Sequence, residues 1–224
     1  LSQQLALANI IFEDLDNGNM LVNSDNESLQ QLLVSQGWAG VFQLPSCSQV
    51  TGCLLDAYSL VQVNLGANKA NCCTTTSSLH QISRQDGSYL HSIKITFTNN
   101  SPLENPDPPR FYGGNYISYL RFYLPGEAAD ISVTAVPTLP QELEHYPLPY
   151  SSTAGKLDKA NKYGFREIGF FHTTRAGTQS SINLTYSLPD NGQPYELHLL
   201  KQHGLVSSPQ TINLSGKTYT TPLI

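Results

Sequence analysis

The side chains most able to do chemistry in this chain are its four cysteines, Cys47, Cys53, Cys72 and Cys73. Zinc sites usually need two ligand pairs at short CxxC-like spacing. Here five residues separate Cys47 from Cys53, Cys72 and Cys73 are adjacent, and no histidine lies close in sequence. Two disulfides therefore fit better than a metal site. Adjacent cysteines rarely bond each other, because the ring they close distorts disulfide geometry. The expected cross-links run from Cys72 and Cys73 back to Cys47 and Cys53, tying two loops together. Such bonds imply an oxidising compartment.

The histidines, His80, His91, His145, His172, His198 and His203, form neither HxH nor HExxH spacing. His91 and His198 fall in strand-like segments, where a sheet-face role outweighs metal binding. Glu142, Glu144 and His145 offer acid–base or calcium chemistry. No series of carboxylates at alternate positions accompanies them, so a solvated loop is the better reading. Asn64 to Lys69 contains Gly66 but lacks the phosphate-loop pattern, and reads as a linker turn. No nucleophile elbow or Cys/His pairing is present, and the serine-rich, non-basic surroundings of Cys47 and Cys53 do not favour a thiolate nucleophile. The triplets beginning at Asn26, Asn99, Asn183 and Asn213 match the glycosylation acceptor pattern, and Thr74 to Ser78 is rich in hydroxyls. Tyr112, Tyr116, Tyr146, Tyr150 and Tyr163 lie in or beside long loops and offer amphipathic contact surface, suited to protein or carbohydrate recognition. These residues imply no catalytic group, no metal and no cofactor.

The chain has 224 residues and is 13% charged, about half the usual ~25%. A net charge of −5 gives no electrostatic reason to expect nucleic acid or an anionic membrane as partner. No apolar run reaches the ~18 residues that span a bilayer, and no charged segment followed by an apolar one opens the chain. Residue 1 is Leu, which reads as the start of a mature, processed or truncated product.

Two regimes of periodicity organise the chain. In residues 1–66, Leu5, Ala8, Ile11, Phe12 and Leu15 recur at helical spacing, and Met20-Leu21-Val22 reads as a short strand. Ser24 to Glu27 reads as a capping box before a buried stripe of Leu29, Leu32 and Leu33, with Gly37 at the helix end. Leu54 to Val63 reads as a buried strand. From about residue 76 the period becomes two. Tyr89, His91, Ile93, Ile95 and Phe97 form one apolar row; Leu120, Phe122 and Leu124 a second; Ile131, Val133 and Ala135 a third. Ile182 to Leu188 and Tyr195 to Leu199 add two more. Asp86-Gly87 marks a hairpin. Two long connections, 99–115 and 137–164, carry four prolines each, and loops of that length are often functional. The expected fold is mainly β: an Ig-like two-sheet sandwich of seven or eight strands over 71–224, preceded by a small, truncated α/β element over 1–70.

Six ordered segments resemble the C-terminal half of the bacterial domain-of-unknown-function family numbered 4012. They are Gly37-Trp38-Ala39-Gly40; Asn64 to Lys69; Asp86-Gly87 with Ile93 to Thr98; Asn115 to Pro125; Ser181 to Pro189; and Leu200 to Gly204. The resemblance implies a cell-surface protein of unknown activity, distantly similar to LytR-type enzymes that attach glycopolymers to the cell wall, and it implies that residues 1–70 are the remnant of a larger α/β domain. Cys72-Cys73 departs from the pattern, where the family carries a hydrophobic or aromatic strand start.

The expectation is an extracellular, non-enzymatic interaction module. It would associate with itself, even as a filament subunit, or with another surface protein or glycan. The alternative is a non-catalytic part of an enzyme that binds or transfers cell-wall glycopolymer, resting on fold analogy alone.

Overall fold

The computed structural model describes residues 2–48, 52–66, 68–102, 113–136, 138, 157–205 and 208–221. Within these, two helices, α1 (Ser2–Asp16) and α2 (Glu27–Ser35), precede eleven strands. The strands are β1 (Leu54–Asn64), β2 (Thr74–Gln85), β3 (Ser88–Asn99), β4 (Tyr116–Pro125), β5 (Ala129–Ala135), β6 (Asp158–Lys162), β7 (Phe165–Thr174), β8 (Gln179–Pro189), β9 (Tyr195–Leu200), β10 (Gln210–Leu214) and β11 (Lys217–Thr221). They form a five-stranded sheet in the order β6-β7-β4-β1-β9 and a six-stranded sheet in the order β11-β10-β2-β3-β8-β5. Two pairings are parallel, β1 with β9 and β10 with β2; the rest are antiparallel.

This is a two-sheet sandwich, and the period-two rows form its core. Ile93, Ile95 and Phe97, with Ile182, Leu184 and Leu188 beside them in the same sheet, face Leu120, Phe122, Leu124, Ile168 and Phe170, all buried. Each such side chain contributes about 1.5–3 kcal/mol when withdrawn from water. The β2–β3 hairpin turns at Asp86-Gly87, where both residues take positive φ (50° and 76°), as a type I′ turn requires.

Ten described strands, β2 to β11, lie in 71–224, against the seven or eight expected there. The front of the chain also differs from its periodicity. β1 lies inside the five-stranded sheet, between β4 and β9, so the sandwich begins at Leu54 and residue 70 is no boundary. Asn64 to Ala70 carries the chain from one sheet to the other, with Asn68 donating to the Asn115 carbonyl (2.8 Å). Met20 to Val22 is not a strand: Val22 N–H bonds the Trp38 carbonyl (2.9 Å), and no ladder follows. The cap of α2 is Asn26, whose Oδ1 accepts from Leu29 N–H (3.0 Å), while Ser24 Oγ accepts from Asn26 N–H. At the other end Gly37, with φ 78°, closes α2 through Trp38 N–H to Leu33 O and Gly37 N–H to Val34 O, the paired bonds of a Schellman motif.

Of the apolar stripes on the helices, only Leu15 and Leu33 are buried; Leu5, Leu7, Ile10, Phe12, Leu29 and Leu32 are exposed. The front segment instead anchors through Phe42 and Leu44. These pack with Tyr123, Phe165, Val61 and Leu200 on the outer side of the five-stranded sheet, Phe42 lying 4.7 Å from Tyr123 and 5.0 Å from Phe165 between ring centroids.

Disulfide pairing departs from the expected cross-links. Cys47 bonds Cys53 and Cys72 bonds Cys73. Cys53 directly precedes β1 and Cys72 follows it, so eleven extended residues at ~3.3 Å each hold the two pairs more than about 30 Å apart.

Candidate functional site

Alternation assigns one side of the five-stranded sheet to the core and the other to the outside. On β4 the outward residues are Tyr119, Arg121 and Tyr123; on β7 they are Phe165, Glu167, Gly169 and Phe171. Registry sets Tyr119 opposite Phe171, Arg121 opposite Gly169 and Tyr123 opposite Glu167. On β6, Asp158 faces Gly169 and Lys162 faces Phe165. Phe42 and Leu44 cover the Tyr123–Phe165 end of this surface. The other end forms a cleft of about 400 Å³ lined by Val63, Leu65, Tyr119, Arg121, Asp158, Lys162, Glu167 and Phe171. That lies within the ~300–1,000 Å³ typical of small-ligand sites.

Tyr119 is laid down across the sheet. Gly169 leaves room for it: a Cβ at that position would meet Tyr119 Cζ at 2.8 Å and overlap the hydroxyl. A glycine inside a strand commonly marks such a close approach. The phenol donates to Asp158 Oδ2 (2.7 Å), and Phe171 meets its edge at 5.1 Å. Burial, then the hydrogen bond and charge of Asp158, raise the Tyr119 pKa, so the hydroxyl stays protonated and fixed. Tyr123 is likewise pushed up to about 12 by burial and by its bond to Glu167.

The floor of the cleft is polar and incompletely satisfied. Glu167 is 7% exposed; its Oε1 lies 3.5 Å from Lys162 Nζ, and its Oε2 is buried with no hydrogen-bond partner. Arg121 Nε is buried and unpartnered too. Leaving such groups unpaired costs about 1–3 kcal/mol each, more when charged. Both atoms are closed off from solvent; the polar groups the cleft presents are Asp158 and Lys162, which are exposed, and its two cations and two carboxylates cancel in charge.

The residues singled out from sequence fall elsewhere. Tyr116 is no contact surface. It begins β4 facing inward, 3% exposed, and its hydroxyl donates to Gln62 Oε1 (3.1 Å). Tyr163 sits at the β6–β7 turn, 70% exposed, its ring 6.4 Å edge-on from Phe42. Tyr112, Tyr146 and Tyr150, like Glu142, Glu144 and His145, lie outside the described residues. Asn99 is buried and donates to the carbonyls of Gly114 and Thr174, which leaves its amide no access to a sugar.

A second polar group lies in the core. Asp56 accepts from Tyr186 (3.1 Å) and Tyr195 (2.5 Å), with His91 stacked on Tyr186. It is closed inside the sandwich and reads as internal structure. His80, bonded to Gln210 (2.8 Å), and His172, bonded to Ser180 (2.8 Å), are buried too.

No family model matches the chain, and no curated protein matches it either.

Proposed function

We propose that this chain is an extracellular, cell-surface interaction module that holds its partner in the Tyr119 cleft without catalysing a reaction on it. One observation carries the reading: Gly169 lets the Tyr119 ring lie over the backbone as part of an open cleft of about 400 Å³, with Asp158 and Lys162 exposed beside it. Concave surfaces that combine apolar side chains with a few placed polar groups are where small ligands bind. Two disulfides and a low charged fraction support an oxidising, extracellular setting. The glycopolymer-enzyme alternative needs a basic pocket. Arg84 is engaged by Asp190, Arg166 by the Gly126 carbonyl, and Arg121 shares its cleft with two carboxylates.

The test is binding of the labelled chain to cell-envelope fragments. Arg121→Ala and Glu167→Ala, each confirmed folded by its melting curve, should weaken retention at least tenfold. Undiminished retention of both folded variants would remove the cleft from the function.

A second reading, a filament subunit, has its own support. Among the described residues, β9 and β11 end their sheets on one side of the sandwich, and a groove of about 410 Å³ lined by Leu197, Leu199, Ile212, Leu214 and Tyr219 lies between them. A strand at the end of a sheet is where a further strand can add. The segments first in line to donate one are occupied at home, Ser2–Asp16 as helix and Gln210–Leu214 and Lys217–Thr221 as paired strands. Electron microscopy of concentrated protein decides it: regular polymers favour this reading, and dispersed single particles end it.

A further inference from the structure

We infer that the ligand of the Tyr119 cleft is a neutral glycan, bound with one pyranose ring stacked on the Tyr119 face. The inference rests on the cleft being a binding site, as proposed above, and names what it takes. Three features of the cleft point to that ligand class.

The first is the platform. Tyr119 is flattened over Gly169, its hydroxyl is tied to Asp158, and its edge rests against Phe171. The ring therefore cannot swing away, and its outward face remains partly exposed. A fixed aromatic face costs little conformational entropy on binding and suits the flat, C–H-rich side of a sugar. The second is the polar rim. Carboxylate oxygens accept from hydroxyls, and guanidinium and ammonium groups donate to them; Asp158 and Lys162 are the exposed pair on the cleft lining. A sugar hydroxyl, both donor and acceptor, satisfies either. The third is charge. Arg121 and Lys162 against Asp158 and Glu167 leave the cleft neutral at pH 7. An anionic polymer gains nothing there, because the carboxylates oppose it as strongly as the cations attract it. A peptide would find aromatic and charged groups as well. A peptide partner, however, commonly adds a strand to a sheet edge, and this cleft lies on a sheet face that includes the central strands β4 and β1.

The experiment titrates the whole chain, by calorimetry and by amide chemical shifts, with neutral oligosaccharides of glucose, mannose, xylose and N-acetylglucosamine. A polyphosphate and a mixed peptide pool serve as the contrasting probes. At least one neutral series should bind saturably, with shifts centred on Tyr119, Arg121 and Glu167. Gly169→Ala, which lifts the Tyr119 ring without straining the backbone, should weaken it tenfold or more. Tyr119→Phe keeps the ring face and should lose less than Tyr119→Ala. Should Gly169→Ala fail to fold, the Tyr119→Phe and Tyr119→Ala pair carries the same comparison. Saturable binding of polyphosphate or peptide alone at these residues would overturn the glycan assignment. Envelope retention separates the two claims. Retention abolished by periodate oxidation of the envelope but resistant to protease supports a glycan. Protease-sensitive retention that still needs Arg121 and Glu167 overturns the glycan and leaves the binding module standing.

Discussion

The ring of His91 stacks on that of Tyr186, centroids 4.1 Å apart and planes 7° from parallel. Asp56 lies beside the stack, its Oδ2 3.6 Å from His91 Nδ1. Burial, and then the neighbouring His80, push the His91 pKa down to about 3; burial raises Asp56 to about 6, against the bonds from Tyr195 and Tyr186. At neutral pH the carboxylate is charged and the imidazole is not. Their approach is an anion against a neutral ring, too long for a hydrogen bond, and neither nitrogen of His91 has a partner.

Acid should destabilise the protein through its core histidines. Burial lowers His91 to about 3, His172 to about 4, and His80 in the same direction. Below pH 6.5 the unfolded chain binds protons that the folded one refuses, so stability falls as pH drops from about 6.5 toward 4. Asp56 acts oppositely, because its folded pKa is raised, and it returns some stability between pH 6 and 3.8. Three histidines outweigh one aspartate, each tenfold difference in proton affinity between the folded and unfolded chain being worth about 1.4 kcal/mol. The melting temperature should therefore drop between pH 6.5 and 4; a flat or rising profile would contradict this account.

Asp56→Asn isolates the opposing contribution. The substitution removes a buried charge that costs most above pH 6, while an amide oxygen still accepts from a tyrosine. The melting temperature of the variant, relative to the parent, should be higher at pH 8 than at pH 4. Thermal scans at the two values check it, and equal differences would mean that burial does not raise the Asp56 pKa above its unfolded value.

Peptide mapping under non-reducing conditions should recover Cys47 linked to Cys53 and Cys72 linked to Cys73, with no fragment joining the two pairs. The Cys47–Cys53 bond closes a loop with a sequence separation of 6, which corresponds to about 2 kcal/mol in the loop-entropy account. Replacing both by serine should cost stability of that order in urea unfolding.

The front helices should tolerate change on their exposed sides. Leu5→Ser and Leu32→Ser alter exposed positions and should shift stability by less than about 0.5 kcal/mol. Leu33→Ala, at a buried position, should cost about 2 kcal/mol or more. Hydrogen exchange would locate that loss in α2, and an equal response at Leu32 and Leu33 would show the helix undocked.

Much of the core was legible because β3, β4 and β8 alternate cleanly, with Ile93, Phe122 and Leu184 inward and polar residues outward. β7 carries no such signal: it is buried on both sides of the sheet, the outer one partly beneath Phe42, so Phe165 to Thr174 shows no period of two. β2 was legible only as the run leading into the Asp86-Gly87 hairpin. Its inward row includes Thr76, Ser78 and His80, polar residues satisfied or packed by neighbours distant in sequence. The cleft was illegible because Tyr119 and Arg121 read only as the outward half of β4, and their partners Asp158, Glu167 and Gly169 come from strands that periodicity did not find. Gly169, alone within a run of large residues, is the one local hint that something must lie close over the backbone.

The two parallel pairings set a timetable for assembly. β1 pairs with β4 on one side but needs Tyr195 to Leu200 to cover its other edge, and β2 waits for Gln210 to Leu214. Neighbours in these ladders stand some 130 to 140 positions apart along the chain, and closing such loops is slow relative to forming hairpins. During synthesis the β2–β3 hairpin can form early, while the edges of β1 and β2 stay bare until β9 and β10 emerge. Until residues 195–214 emerge the nascent sheets keep an unsealed side, and both are sealed by strands more than a hundred positions downstream.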